Sequence, residues 1–351
     1  MEQLNVKLAD QLKEKPTTED GLGFGSIFTD HMFLMKYSEE KGWHDAVIKP
    51  FEPFTLSPAC SVFHYAQEIF EGLKAYPGTR LFRPWDNIAR FQRSAKRMSM
   101  PEFDEKFVLE ALYELIRVEK DWIPKGEGCS LYIRPTIIAT DPYLGVHAAR
   151  NYYMFIILSP SGFYYSGGMK PIKIYVEPEY VRAVRGGVGN VKAGGNYGAS
   201  ILAGDNAEDA GCAQVMWLDA IERKYVEEVG SMNIFFKING ELYTPPLHGS
   251  VLPGITRDSV IQLAKARGIK VNETPVAIED IYKASLDGSL EEVFGSGTAA
   301  IISSVGELVW KDKTIIVNGG KMGELTESLY QELTGIQYGT KEDKFDWTIQ
   351  L

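Results

Sequence analysis

One lysine in this chain sits in backbone stripped of bulk, in the segment Asn190-Val191-Lys192-Ala193-Gly194-Gly195-Asn196-Tyr197-Gly198. Glycine raises the entropic cost of ordering a loop, so glycines beside a lysine are useful where a flat group must approach the main chain. A lysine that forms a Schiff base needs a desolvated amine held against a carbonyl. Alone, the segment reads more readily as a Gly-rich surface turn with an incidental lysine. Other segments of the chain change that balance.

Leu252-Pro253-Gly254-Ile255-Thr256 leads straight into a predicted helix. Backbone N–H groups at a helix N-terminus, reinforced by the macrodipole, bind anions. A second small-residue turn, Gly295-Ser296-Gly297-Thr298-Ala299, follows a short strand and offers further N–H donors and a hydroxyl. Each has a plain alternative, a glycine before a helix and a tight turn. Arg90 on a helical stretch would add a fixed cation to the same phosphate, or is solvated on a helix face. Glu227-Glu228-Val229-Gly230 places an acid at the end of a strand, able to hold a protonated ring nitrogen or to cap a turn. A lysine, a phosphate cradle, an acid and the aromatic hydroxyl of Tyr197 together are what pyridoxal 5'-phosphate requires.

The elements that position these groups are legible from periodicity. Ser130–Thr140 alternates and is rich in β-branched residues, predicting a strand, and Asn151–Leu158 predicts a second with well-covered faces. Asp86 is read as the N-cap of a helix over Asn87–Met98, and Asp104–Trp122 as a second helix stopped by Pro124. The Gly, Ser and Pro content of Ser159–Gly168 marks a linker, although its paired tyrosines, Tyr164 and Tyr165, suit equally a cover over a cleft or a loop packed on its own tyrosines. Strands follow at Ile172–Glu177, Ala213–Leu218 and Tyr225–Val229, then a hairpin whose Asn239-Gly240 dipeptide suits a type I′ turn. Helices over Thr256–Arg267 and Ile278–Leu286 are closed by Gly268 and near Gly288. Strands at Leu290–Phe294 and Thr298–Val305 and a helix near Leu325–Leu333 complete the order. The fold class expected is α/β of the mixed, α+β kind rather than a doubly wound sheet, because no strand leads into G-x-G-x-x-G.

The bulk numbers bound the function. At 351 residues the chain suits two domains. The division expected is an N-terminal domain over 1–160, a linker over 161–171 and a C-terminal cofactor-binding domain over 172–351. A formal net charge of -10 argues against a nucleic-acid partner. No apolar run approaches the ~18–20 residues of a membrane span. Cys60, Cys129 and Cys212 form no C-x-x-C, and the five histidines form no H-x-x-x-H, so neither a disulfide framework nor a metal site is expected. With no signal or transit pattern over Met1–Pro16, the location expected is cytoplasmic.

The same residues carry a resemblance. Phe24-Gly25-Ser26-Ile27-Phe28-Thr29-Asp30-His31, His64-Tyr65, Ile69 to Tyr76 and Leu81 to Trp85 resemble, in order and spacing, the branched-chain amino-acid aminotransferases. So do Tyr132-Ile133-Arg134-Pro135, the lysine segment, Glu228 to Asn233, Leu252 to Thr256 and Gly295 to Ala299. That family consists of pyridoxal-phosphate enzymes of fold type IV, with a small N-terminal α/β domain and a larger, β-barrel-like C-terminal domain carrying helices.

The resemblance implies that Lys192 bears the Schiff base, that Tyr197 bonds the ring phenolate and that Glu228 pairs with the pyridine nitrogen. Arg90, Ile255, Thr256 and Thr298 would hold the phosphate. Tyr132 and the amides at Thr298 and Ala299 would face the substrate α-carboxylate, and Arg134 the side-chain carboxylate of glutamate. Phe24, Tyr65, Phe70 and Tyr164 would line the apolar pocket, and Leu144 and Val146 would reach into the site of a partner subunit in a homodimer. The substrates implied are leucine, isoleucine and valine with 2-oxoglutarate. The sequence departs from the animal enzymes at Ala300 and Ser303, where those carry a C-x-x-C, so thiol regulation by that route is not expected. The rival readings are a D-amino-acid aminotransferase or aminodeoxychorismate lyase of the same fold type, and a non-catalytic phosphate- or nucleotide-binding module built on the same glycines.

Overall fold

A computed structural model of the chain describes residues 3–18, 21–162 and 170–351. Tyr164 and most of the expected linker lie outside the described residues. The chain divides into two compact units, one of residues 1–164, 191–194 and 336–351 and one of residues 165–190 and 195–335.

The first unit is built on β1 (Asn5–Val6), β2 (His31–Ser38), β3 (Gly42–Pro50), β4 (Glu68–Phe70), β5 (Leu73–Tyr76), β6 (Arg80–Phe82), β7 (Ser130–Ala139) and β8 (Asn151–Ser161). They join in the order β1-β3-β2-β8-β7-β5-β6, with Thr348–Gln350 added beside β6 and β4 paired to β7. The long pair β7–β8 runs antiparallel from Ser130↔Ser161 to Ala139↔Tyr152. Helix α1 (Ser61–Tyr65) is short, while α2 (Pro84–Arg97) and α3 (Glu105–Val118) bring Ile88, Phe91, Val108 and Leu112 into one core with Phe33, Ile133 and Ile156.

Both expected helices need their ends corrected. Asp86 is not the N-cap of α2: Arg83 caps it with φ 49°, Pro84 takes the first turn, and Asp86 accepts from Arg83 Nε at 2.6 Å. Proline's fixed φ is already helical, so the helix starts before the acid. Asp104 does cap α3, accepting from the amides of Lys106 and Phe107, but α3 ends at Val118 and Lys120–Trp122 form a separate 3₁₀ turn. Glu119 is occupied elsewhere, accepting from the His31 main chain and ring at 2.6 Å each. The Ala9 amide donates to the other ring nitrogen at 2.8 Å, so the His31 proton sits on Nδ1, facing Glu119.

The second unit holds β9 (Ile172–Val176), β10 (Gln214–Leu218), β11 (Val226–Val229), β12 (Asn233–Ile238), β13 (Glu241–Thr244), β14 (Val271–Glu273), β15 (Leu290–Gly297), β16 (Ile301–Trp310) and β17 (Lys313–Ile316). Their order is β11-β10-β9-β16-β15-β12-β13-β14, with β17 on β16. A bridge between Val229 and Met232 returns the first strand of that path to β12, so the sheet curls toward closure around Met216, Ile234, Phe236, Val293 and Leu308. The remaining helices are α4 (Gly194–Gly198), α5 (Ile201–Asp209), α6 (Ile255–Ala266), α7 (Ile278–Asp287) and α8 (Glu324–Tyr338). Asn239 and Gly240 have φ of 49° and 75°, the two positive values a type I′ hairpin demands. The strand expected over Thr298–Val305 begins at Ile301: β15 runs on through Gly297, and Thr298–Ala300 are the turn. The architecture is mixed α/β, one open sheet and one curled sheet, each with helices.

Candidate active site

In the first unit the lysine segment is tied to β4 by a single antiparallel bridge. The Phe70 amide donates to the Lys192 carbonyl at 3.0 Å, Ala193 bridges Ile69, and the Lys192 amide donates to Ser94 Oγ at 3.3 Å. The Lys192 backbone is thereby fixed against β4 and α2, and its ammonium lies 4.7 Å from the Phe70 ring centroid. The Arg134 guanidinium stands 4.6 Å from the Phe70 centroid and 5.1 Å from that of Tyr132. Arg134 Nη2 also donates to Tyr132 Oη at 3.0 Å, and Phe24 meets Tyr132 edge-on at 4.7 Å. Five of the expected site residues, Phe24, Phe70, Tyr132, Arg134 and Lys192, therefore form one cluster of aromatic faces and cations.

Tyr132 explains a glycine that sequence reading leaves unassigned. A Cβ on Gly72 would lie 2.1 Å from Tyr132 Oη, so only glycine admits the hydroxyl there. The glycines beside the lysine are different: a Cβ on Gly195 or Gly198 would meet nothing within 4 Å, and only Gly194 is pressed, by the Glu68 carboxylate. Arg90 is buried and clasps Glu71 through Nε and Nη2, at 2.8 and 2.5 Å. It is a fixed cation, held by an acid that the sequence did not single out. Tyr65 donates to the Leu144 carbonyl, while Leu144 and Val146 are 62% and 84% exposed.

In the second unit, Tyr197 and Glu228 line one cavity of about 320 Å³, together with Arg182, Asn196, Trp217 and Leu252. Strand alternation sends Glu228 and its neighbour Glu227 to opposite faces of β11. Glu227 lines a different cavity of about 210 Å³ and accepts from Ser250 Oγ. Burial pushes the Glu227 carboxyl above the ordinary carboxylate range, against the opposing pull of Ser250 and Arg182.

Asn233 organises the turns around Glu228. Its Nδ2 donates to Glu228 Oε1 at 3.0 Å and to the Leu252 carbonyl at 2.9 Å, and it pairs in register with Ser296. A Cβ on Gly254 would come within 2.0 Å of Asn233 Oδ1, so glycine at the N-cap of α6 is set by this asparagine. Ile255 and Thr256 open α6 directly behind it, both buried. Thr298 and Ala299 lie in the turn that ends at Ile301, a β-branched residue at φ 62°. Such a conformation costs on the order of 1–3 kcal/mol and persists where surrounding structure holds it. Neither Asn233 nor Ile301 stands out by residue type or spacing.

The family model for amino-transferase class IV matches residues 68–308. The chain belongs to the class IV aminotransferases. It is 53% identical over 352 residues to branched-chain-amino-acid aminotransferase 2 of Bacillus subtilis, covering 99% of this chain and 97% of that one. Among solved structures it is similar to the branched-chain amino acid aminotransferase from Escherichia coli, at 31% identity and a TM-score of 0.74, covering 92% and 98% of the two chains. It is also similar to the T.th. branched-chain amino acid aminotransferase complexed with N-(5'-phosphopyridoxyl)-L-glutamate, at 27% identity and a TM-score of 0.73, covering 90% and 97%. As a class IV aminotransferase the chain has the fold type IV architecture, and among its described residues no helix is long and apolar enough to cross a membrane.

Proposed function

We propose that this class IV aminotransferase exchanges amino groups between branched-chain L-amino acids and 2-oxoglutarate, using pyridoxal 5'-phosphate anchored on Lys192. The observation that carries the reading is the cluster of Lys192, Phe70, Tyr132 and Arg134, which combines an amine, apolar faces and one side-chain cation. The full-length likeness to branched-chain aminotransferases supports it and disfavours the D-amino-acid and lyase alternatives.

The residues suit the cofactor. Glu228 is a buried acid on the Tyr197 cavity, and Ser296 Oγ, two residues before Thr298, is a buried polar atom without a hydrogen-bond partner among the described residues. When bound, the cofactor supplies an electron sink for the pair released as the substrate Cα–H bond breaks. Lys192 Nζ would anchor it covalently and, once displaced by the substrate amine, would be the base that takes the Cα proton. Glu228 sets its carboxylate against the ring nitrogen, and Tyr197 donates to the ring phenolate. Arg90, the main chain at Ile255 and Thr256, and Thr298 hold the phosphate.

Phe24, Tyr65 and Phe70 form the apolar pocket, where each methylene of leucine, isoleucine or valine is worth roughly 1–3 kcal/mol. Arg134 serves glutamate in the same space, its planar fork matching a carboxylate bidentately. Tyr132 and the Ala299 amide face the α-carboxylate. The exposed apolar side chains of Leu144 and Val146 seat against a second copy, which makes the working unit a homodimer. Cys60, Cys129 and Cys212 are scattered and buried, with no C-x-x-C among them, which agrees with a reducing, cytoplasmic setting.

The test is Lys192→Ala. The variant, incubated with pyridoxal phosphate, is expected to lose the lysine-dependent visible absorbance and all turnover of L-leucine with 2-oxoglutarate. A variant that kept both, or a wild-type protein that preferred D-alanine, would sink the reading.

A further inference from the structure

Glu228 does not stand alone in its strand. Its Oε2 pairs with Arg182 Nε, with both side chains almost wholly buried, and its Oε1 accepts from Asn233 at 3.0 Å. A contact on each oxygen fixes the orientation of the carboxylate. Arg182 is itself held: Nη2 donates to the Gly189 carbonyl at 2.9 Å and to the Ser250 carbonyl. Gly189 is tightly fitted, since a Cβ there would lie 2.3 Å from that same Ser250 oxygen. Ser250 in turn donates from Oγ to Glu227. One guanidinium thus contacts Glu228 and is braced by a serine that is tied to Glu227.

We propose that Arg182 is a positioning residue for the transamination, fixing the Glu228 carboxylate and keeping it anionic toward the ring nitrogen. The proposal rests on the reading that Glu228 faces that nitrogen. A proton between a carboxylate and a pyridine nitrogen can reside on either, and the less basic the carboxylate, the more firmly the nitrogen keeps it. An arginine, charged at every working pH, lowers the basicity of the acid it touches. Asn233 is neutral and supplies direction but no charge. The two contacts therefore have separate roles, Asn233 aiming one oxygen and Arg182 setting the charge on the group. Lysine in place of Arg182 would retain the charge and lose the fork that reaches both the carboxylate and the two carbonyls.

The experiment compares Arg182→Gln, Arg182→Lys and Glu228→Gln as purified holoenzymes, each with its bound cofactor quantified. Arg182→Gln is expected to keep stoichiometric cofactor and change KM for L-leucine by less than about threefold, with kcat falling roughly 10- to 100-fold. The acid–base midpoint of its visible absorbance should move by about one pH unit or more. Arg182→Lys should recover part of both changes, because charge returns. A wild-type kcat and absorbance titration in Arg182→Gln, alongside an impaired Glu228→Gln, would overturn the role of Arg182 and leave Glu228 standing. Equal losses in both arginine variants with the cofactor shed would mean that Arg182 serves only the loop, which also overturns the proposal. Wild-type absorbance and activity in Glu228→Gln would instead remove the reading beneath it.

Discussion

Arg134 holds its charge between two aromatic rings and commits one donor to Tyr132 Oη, so its guanidinium plane is fixed before any carboxylate arrives. A preorganised fork loses little side-chain entropy on binding, which would let the proposed pocket accept both an aliphatic chain and a carboxylate. The two half-reactions should therefore separate on this residue. Arg134→Leu is expected to raise KM for 2-oxoglutarate roughly 30- to 150-fold, the worth of a lost charged hydrogen-bond pair, about 2–3 kcal/mol. For L-leucine the change should stay within about threefold, since that substrate leaves the cation unused. Single-half-reaction kinetics with each substrate in turn would measure this, and an equal loss for both would assign Arg134 to packing of the Phe70–Tyr132 cluster instead. The contact between Gly72 and Tyr132 has the same logic from the backbone side: the glycine exists so that a hydroxyl can occupy the space of a methyl group.

Among the elements, α8 is capped by a residue far from it in sequence. Glu292 of β15 accepts from the amides of Leu325 and Thr326, at 3.1 and 2.8 Å, and from Thr326 Oγ1 at 2.7 Å, 33 and 34 positions away. It also pairs with Lys237 at 3.3 Å. Glu292→Ala leaves those amides without an acceptor and should destabilise the protein by about 2 kcal/mol, while Glu292→Gln, which keeps one acceptor oxygen, should cost about half as much. Urea unfolding of the three proteins would read the difference, and identical midpoints would mean that water replaces the carboxylate without loss. Such a cap is invisible in the sequence, whereas other elements are not. The β12–β13 hairpin is legible because Asn239-Gly240 states its own backbone angles, β7 because of its β-branched alternation and β8 because of its continuous apolar run. Strands β2 and β3 give no signal. In β2 the side chains His31 to Met35 are buried on both faces, which erases the two-residue alternation that marks a strand. Lys192, Tyr197 and Glu228 are legible because their chemistry is rare in such company. Arg182, Asn233 and Glu71 are not, because a buried ion pair or amide is defined by a partner that sequence separation conceals.

At the scale of the whole molecule, the charges inside the first unit give stability a pH dependence with a definite sign. Lys74 lies in β5, wholly buried, and burial lowers its pKa to about 8 from 10.5. Below pH 8 the ammonium is present in both folded and unfolded chains, and the folded state carries the net cost of burying it. Between about pH 8 and 10.5 the folded chain has released that proton while the unfolded chain still binds it. Stability rises with pH wherever the unfolded state binds more protons, so Lys74 alone adds on the order of 3 kcal/mol across this window. Other groups act in the opposite direction. Burial raises the thiols of Cys60 and Cys212, and it lifts Tyr113 and Tyr152 to about 12, so the folded chain keeps those protons longer and loses stability as the solution becomes alkaline. A single curve would mix these contributions, whereas a difference curve isolates the lysine. Wild-type protein and Lys74→Met, each unfolded in urea at intervals from pH 7 to 10.5, share the cysteines and tyrosines, and their subtraction leaves Lys74. The wild type is expected to gain on the variant steadily above pH 8, by roughly 2–3 kcal/mol in all. Parallel curves would show that Lys74 keeps its proton inside the fold, stabilised by a partner strong enough to cancel the cost of its burial.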